Sequence, residues 1–149
     1  MPTRVNLGCG TDIRSGWVNL DSAPLPGVDV VHAIGDGPLP FADESVDEVL
    51  AKDVLEHVEL IPAMQELHRV LRPGGRLLVT VPFHGRVKAA LIAFARFDEH
   101  FDPLGQHLRF YTASSLASTL RASGFEEVRV RAWGAPLLRT GLTGWARRP

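Results

Sequence analysis

Two glycines follow the first apolar run of the chain, in the segment Val5-Asn6-Leu7-Gly8-Cys9-Gly10. Residues 5–7 favour a short β-strand, so the glycines form the turn directly after it. Glycine adopts positive φ without strain and lets a ligand approach the backbone closely. The pattern indicates a ligand-binding turn, although taken alone it is equally compatible with a plain tight turn.

Two acidic residues follow the next two strand candidates. Asp21 comes directly after the strand candidate Trp17 to Leu20, where a carboxylate can accept hydrogen bonds from both hydroxyls of a ribose. Asp36 lies in Ile34-Gly35-Asp36-Gly37, where it could accept a hydrogen bond from an exocyclic amine such as that of adenine. A solvated turn aspartate remains the alternative for Asp21. Three chemically matched strand ends in order favour a nucleoside-binding site.

A third group of polar residues, Asp53, Glu56 and His57, follows the fourth strand candidate. If this segment is helical, the three side chains are neighbours at i, i+3 and i+4. With a further histidine, His84 or His107, they could bind a hard divalent cation. We expect instead that the group orders the pocket, and we predict that no metal is required.

The segment from Phe83 to Tyr111 is long for a connection between a strand and a helix, and long segments of this kind are usually lids or binding loops. It contains His107, a candidate general base for an acceptor that must lose a proton. The alternative, which we leave open, is that His107 and Arg109 only brace the loop.

Strands and helices alternate along the chain, which predicts a mostly parallel sheet with helices on both faces. Ile61 to Leu71 is the clearest helix, stopped by Pro73-Gly74-Gly75, and Ala113 to Ser123 is the second, with Thr112 as its N-cap. Ligands bind such sheets at the carboxyl ends of the strands. The predicted strands are Val5 to Leu7, Trp17 to Leu20, Val28 to His32, Val46 to Ala51, Arg76 to Val81, Phe125 to Ala132 and Leu142 to Arg147.

Length and composition narrow the class of protein. The 149 residues suffice for one domain, and a net charge of -1 argues against a nucleic-acid partner. The single cysteine, Cys9, cannot form an internal disulfide, so we expect a cytoplasmic protein. The longest apolar stretch, Ala89 to Ala95, is too short to span a bilayer, and no signal peptide opens the chain.

Four segments together resemble the class I S-adenosylmethionine-dependent methyltransferases, especially the branch known as methyltransferase type 11. The resemblance covers nearly the whole chain. It lies in VNLGCG, GDGPLPFADESVDEVLAKDVLEHV, ELHRVLRPGGRLLVTVP and HLRFYTASSLASTLRASGFEEVRV.

The resemblance implies a fold, a cofactor and roles for individual residues. The fold is an α/β Rossmann-like three-layer sandwich with a mostly parallel seven-stranded sheet, and the cofactor is S-adenosyl-L-methionine. The backbone of Gly8, Cys9 and Gly10 would hold the methionine part of the cofactor. Further cofactor contacts are implied for Asp21 and Ser22 at the ribose, Asp36 and Gly37 at the adenine, and Asp53 on the sulfonium side.

The chain departs from that family in two places. Gly16 interrupts the short stretch between Gly10 and Asp21, so the first crossover helix must be stunted or absent. That shortening weakens a dinucleotide interpretation, since a pyrophosphate needs a helix N-terminus. The first strand also begins close to Met1, which leaves the lid to residues 83–111 or to a second subunit in a homodimer.

We therefore interpret residues 1–149 as one methyltransferase domain, with residues 83–111 as its lid and substrate segment. The expected reaction is methyl transfer to a small-molecule acceptor. Two other interpretations stay open: a non-catalytic subunit or scaffold that binds the cofactor, and a methyltransferase acting on RNA or protein.

Overall fold

The computed structural model describes residues 2–83, 110–135 and 138–149. Seven strands and two helices are described within these ranges. They are β1 (Arg4–Leu7), β2 (Val18–Asp21), β3 (Val30–Val31), β4 (Val46–Lys52), α1 (Leu60–Val70), β5 (Leu71–Pro82), α2 (Ala113–Ala122), β6 (Glu126–Ala135) and β7 (Leu138–Arg147).

The seven described strands form one sheet in the order β3-β2-β1-β4-β5-β7-β6. The pairs from β3 through β5 are all parallel, whereas β7 runs antiparallel to both β5 and β6. The prediction of an α/β fold with a mostly parallel seven-stranded sheet is confirmed.

Both described helices pack on one face of this sheet. A Cβ added to Gly144 of β7 would lie 3.1 Å from Leu120 and 3.4 Å from Leu116, so α2 lies directly beneath β7. His68 of α1 packs edge-on against Phe125, which follows α2, so α1 lies beside α2. The sheet residues facing these helices are apolar and buried, as expected for the core side of a sheet. They include Val5, Leu7, Val49, Ala51, Leu77, Val79, Val81 and Leu142. The second helical layer expected of a three-layer sandwich is not among the described residues.

The connection between β1 and β2 contains no helix, which confirms the predicted shortening. Two buried asparagines, Asn6 and Asn19, hold this connection instead. The Asn6 amide donates to the Asp12 carbonyl at 2.6 Å and to Asn19 Oδ1 at 3.1 Å. Asn19 Oδ1 also accepts the Arg14 N–H at 2.9 Å. A buried amide must be hydrogen-bonded, so these contacts fix the loop on the sheet.

Several predicted boundaries were wrong. α1 ends at Val70 and β5 begins at Leu71, so Pro73-Gly74-Gly75 lies inside the β5 range and does not stop the helix. The reason is tertiary: Gly74 N–H donates to the Arg148 carbonyl, and Arg148 N–H donates to the Gly75 carbonyl. β3 has only two residues, and β7 begins at Leu138, before the predicted Leu142.

The N-terminus of α2 was predicted correctly. Thr112 accepts the Ser115 N–H with its side chain while the Ser115 hydroxyl caps the Thr112 N–H, which forms a capping box. Among the residues that the structure describes, no helix is long and apolar enough to cross a membrane.

Candidate active site

The turn after β1 depends on glycine. Gly8 has φ +63°, and a Cβ added there would lie 2.5 Å from Cγ2 of Val54, which follows β4. Gly10 also has positive φ, +49°, but a Cβ there would meet no atom within 4 Å. Gly8 is therefore required both by its backbone conformation and by the close approach of the two strand ends, and Gly10 by its conformation alone.

Asp21 at the end of β2 is held in a defined orientation by the backbone. Its Oδ2 accepts the Gly10 N–H at 2.8 Å and its Oδ1 accepts the Ala23 N–H at 3.0 Å. A carboxylate has about four lone-pair positions, so both oxygens keep capacity for hydroxyl donors from a ligand. The side chain is half-buried, which leaves it accessible to such a ligand.

Four strand ends converge on a cavity of about 340 Å³. Four of the predicted residues, Gly8, Asp21, Ser22 and Asp53, line this cavity. The remaining lining comes from the ends of β2, β3 and β4. These residues are Leu20, His32, Ala33, Ile34, Val54, His57 and Val58.

His32 is a lining residue that sequence reasoning missed. It follows β3, and its Nε2 is buried without a hydrogen-bond partner. A buried ring nitrogen without a partner loses hydration for no gain, which suits a position that a ligand completes. The sequence predicts a strand from Val28 to His32, and nothing in the pattern indicates that His32 faces a cavity.

The other predicted cofactor residues do not line this cavity. Asp36 is exposed on a turn, with its N–H donating to the Ala33 carbonyl at 3.2 Å. Gly37 lines a neighbouring cavity of about 250 Å³ with Leu39 and Glu66. Cys9 is buried, and the pKa of its thiol is raised by burial and by the nearby Asp21 carboxylate, so the thiol stays neutral.

The loop that follows Asp36 is fastened to α1 by a salt bridge. Glu66 Oε2 accepts the Leu39 N–H at 2.7 Å, and Arg69 donates to both oxygens of Glu66 at 2.9 and 2.7 Å. Arg69 also donates to the carbonyls of Leu39 and Phe41. The Arg69 hydrogen bond holds the pKa of Glu66 below its usual range. Only the i, i+3 spacing of Glu66 and Arg69 could have indicated this clamp from sequence.

The Asp53, Glu56 and His57 group is not brought together as a metal site. The segment forms turns rather than a helix, and Asp53 accepts the Thr80 hydroxyl at 3.3 Å. Glu56 is 1% exposed and its carboxylate lies 3.8 Å from His57 Nε2. Burial raises the pKa of Glu56. Within the described ranges, no three His, Cys, Asp or Glu side chains are grouped so as to hold a metal ion.

Most of the predicted lid, including His84, His107 and Arg109, lies outside the described residues. Its two ends are described, and Phe83 and Tyr111 form a parallel β-bridge. Phe83 follows β5 at the same edge of the sheet as Asp53, whose N–H donates to the Thr80 carbonyl. The segment therefore leaves and rejoins the fold at the carboxyl edge of the sheet, where the cavity lies.

Comparison with known proteins gives a consistent family. Residues 7–79 match the family model described as "Methyltransferase domain". A malonyl-[acyl-carrier protein] O-methyltransferase of Methylococcus capsulatus is 33% identical over 125 residues, which cover 81% of this chain and 44% of that protein. A ubiquinone/menaquinone biosynthesis C-methyltransferase of Dinoroseobacter shibae is 36% identical over 132 residues, covering 72% and 51%. The chain spans about half the length of these curated relatives.

A solved structure shares the fold. A possible histamine N-methyltransferase from Thermotoga maritima, described as SAM-dependent, superposes with a TM-score of 0.75 at 19% identity, covering 100% of this chain and 83% of the other. The fold and the glycine turn and acid that line the cavity define a nucleoside-binding α/β domain of the Rossmann-like type. The chain belongs to the class I S-adenosylmethionine-dependent methyltransferase family, whose cofactor is S-adenosylmethionine.

Proposed function

We propose that the protein transfers a methyl group from S-adenosylmethionine to a small-molecule acceptor. The observation that carries the proposal is the Asp21 carboxylate, which two backbone N–H groups orient inside a cavity where four strand ends meet. An acid fixed in this way is suited to accept the two hydroxyls of a ribose.

The cavity fits the cofactor in two respects. The absence of a side chain at Gly8 lets the ends of β1 and β4 approach closely, and it leaves backbone exposed to a ligand there. The unpartnered Nε2 of His32 supplies a polar contact that a nucleoside could complete. Gly8, Cys9 and Gly10 would hold the methionine part, Asp21 and Ser22 the ribose, and Asp36 and Gly37 the adenine. Asp53 would lie on the sulfonium side.

The cofactor, when bound, supplies a sulfonium that makes its methyl group electrophilic, so no metal or covalent intermediate is needed. The chain then has to orient the acceptor in line with the methyl group and to exclude water. For an acceptor that must lose a proton, we propose His107 as the general base. The meeting of Phe83 and Tyr111 beside β5 supports the lid and substrate role of residues 83–111.

The acceptor class follows from the curated relatives. The two quoted above act, by their names, on malonyl-[acyl-carrier protein] and on a quinone precursor. We propose an acceptor of this kind, with a carboxylate oxygen or an activated carbon as the methylated atom. We further infer a reducing, cytoplasmic compartment from the lone buried thiol of Cys9. Homodimer formation stays a prediction.

The direct test is the release of S-adenosylhomocysteine from S-adenosylmethionine in the presence of a panel of small carboxylates, phenols and quinols. We expect release with at least one acceptor and its loss in His107→Ala, with cofactor affinity unchanged in that variant. Tight cofactor binding without turnover on any acceptor would favour the non-catalytic interpretation. Turnover with RNA or protein alone would favour a macromolecular acceptor.

A further inference from the structure

The sheet face opposite α1 and α2 carries an exposed row of arginine and tryptophan side chains. Strand alternation and register define its members, because directly opposed residues of neighbouring strands point to the same face. We call it the open face. It consists of Arg76 and Leu78 of β5, Trp145 and Arg147 of β7, and Arg129, Arg131 and Trp133 of β6.

The centre of the open face is apolar. Leu78, Trp145 and Arg129 are opposite one another across β5, β7 and β6, and Trp145 is 40% exposed. Trp133 is 52% exposed and its indole lies over Gly141, where an added Cβ would be 2.1 Å from the ring. Two large aromatic side chains so exposed on a single sheet face are a feature of protein docking sites.

The charge around this apolar centre is positive. Arg76 pairs with Glu48 at 3.3 Å, and Arg147 pairs with Glu127 at 3.5 Å. Arg129 and Arg131 have no ion-pair partner in the part of the chain that the structure describes. Four arginines against two glutamates leave a net positive surface, and its two unpaired guanidiniums lie on the outer strand β6.

Sheet geometry indicates what would cover this face. A central parallel strand such as β5 is normally covered on both faces, usually by helices. The four strands β4, β5, β7 and β6 span about 14 Å, and a helix with its side chains is about 10–12 Å wide. Gly141 to Arg147 of β7 extend about 20 Å, which matches a helix of about 13 residues.

We propose that the open face binds an amphipathic helix of a partner protein, with an apolar stripe on Leu78 and Trp145 and carboxylates facing Arg129 and Arg131. A second copy of this chain is a poorer occupant, because its own arginines would face these. A nucleic acid is also poorer, since its phosphates would approach Glu48 and Glu127 at the face.

The test uses a fluorescein-labelled synthetic helix of about 14 residues with one leucine stripe flanked by glutamates. Its matched control replaces every glutamate by lysine. We expect fluorescence anisotropy to show saturable binding of the acidic peptide, at least about tenfold tighter than the lysine peptide and weakened by salt. Binding should quench the Trp145 emission, and Trp145→Phe should remove that signal.

The double variant Arg129→Glu, Arg131→Glu should lose the acidic peptide and gain the lysine peptide. The control variant Arg121→Glu, on the exposed surface of α2, should bind as wild type does. Unchanged affinity for S-adenosylhomocysteine and an unchanged melting temperature in both variants separate this result from a failure of the fold or of the proposed function. Equal binding of both peptides, tighter binding of poly-uridine, or self-association of the protein lost in the double variant would each overturn the proposal.

Discussion

Replacing Gly8 with alanine tests the account of the turn after β1, because the structure separates two contributions to its cost. The first is conformational: at φ +63° an alanine occupies the left-handed region at a cost of about 1–2 kcal/mol. The second is steric: the new methyl group would lie 2.5 Å from Val54 Cγ2, and overpacking of this kind costs about 1–3 kcal/mol. We expect a total loss of about 2–5 kcal/mol in the free energy of unfolding.

Gly10→Ala is the matched control. Its φ of +49° carries the same conformational cost, but no atom lies within 4 Å of the added methyl group. Urea unfolding followed by circular dichroism should therefore show a loss of only about 1–2 kcal/mol for Gly10→Ala. In a Val54→Ala background, Gly8→Ala should cost no more than Gly10→Ala, because the Cγ2 methyl has been removed.

Equal losses for the two glycine variants would refute the steric part of this reasoning. An undiminished Gly8→Ala cost in the Val54→Ala background would do the same. In either case the close approach of the β1 and β4 ends would not determine the residue at position 8.

Three further predictions concern charged groups. Burial raises the pKa of Glu56, so wild type should lose stability relative to Glu56→Gln as the pH rises through that raised pKa; melting temperatures between mildly acidic and neutral pH measure this difference. Glu66→Gln should destabilise the protein by about 1–2 kcal/mol at neutral pH. Because the pKa of Glu66 is lowered, this difference should shrink in urea unfolding as the pH falls below the usual range of a glutamate. Cofactor binding and turnover should be unaffected by EDTA, and turnover abolished by EDTA and restored by Mg²⁺ would assign the Asp53, Glu56 and His57 group to a metal.

The parts of the fold that sequence predicts well are those set by local chemistry. Gly8 and Gly10 have the positive φ that a glycine turn requires, and Thr112 caps α2 as its position before the helix predicts. The spacing of strands and turns also predicts that Asp21 follows a strand at the carboxyl edge of the sheet. These features depend on neighbouring residues, so they are visible in the sequence.

The parts that sequence does not predict depend on distant partners. β5 begins five residues before its predicted start, since Arg148 pairs with the backbone around Gly75. His32 lines the cavity because β3 ends after two residues, and the Glu66 and Arg69 clamp needs the fold to bring Leu39 to α1. The open face is likewise a product of register, which alternation alone leaves undetermined.

The most direct test of the cofactor site is calorimetric binding of S-adenosylhomocysteine to wild type, Asp21→Ala and Asp36→Ala. Glu126→Ala, an exposed acid at the start of β6, serves as the control, and a thermal melt of each variant verifies its fold. The account predicts that Asp21→Ala weakens binding by about 1.5–3 kcal/mol, or about 10- to 150-fold, and that Glu126→Ala binds as wild type does. Unchanged affinity in both folded aspartate variants would contradict the assignment of the cavity to the cofactor.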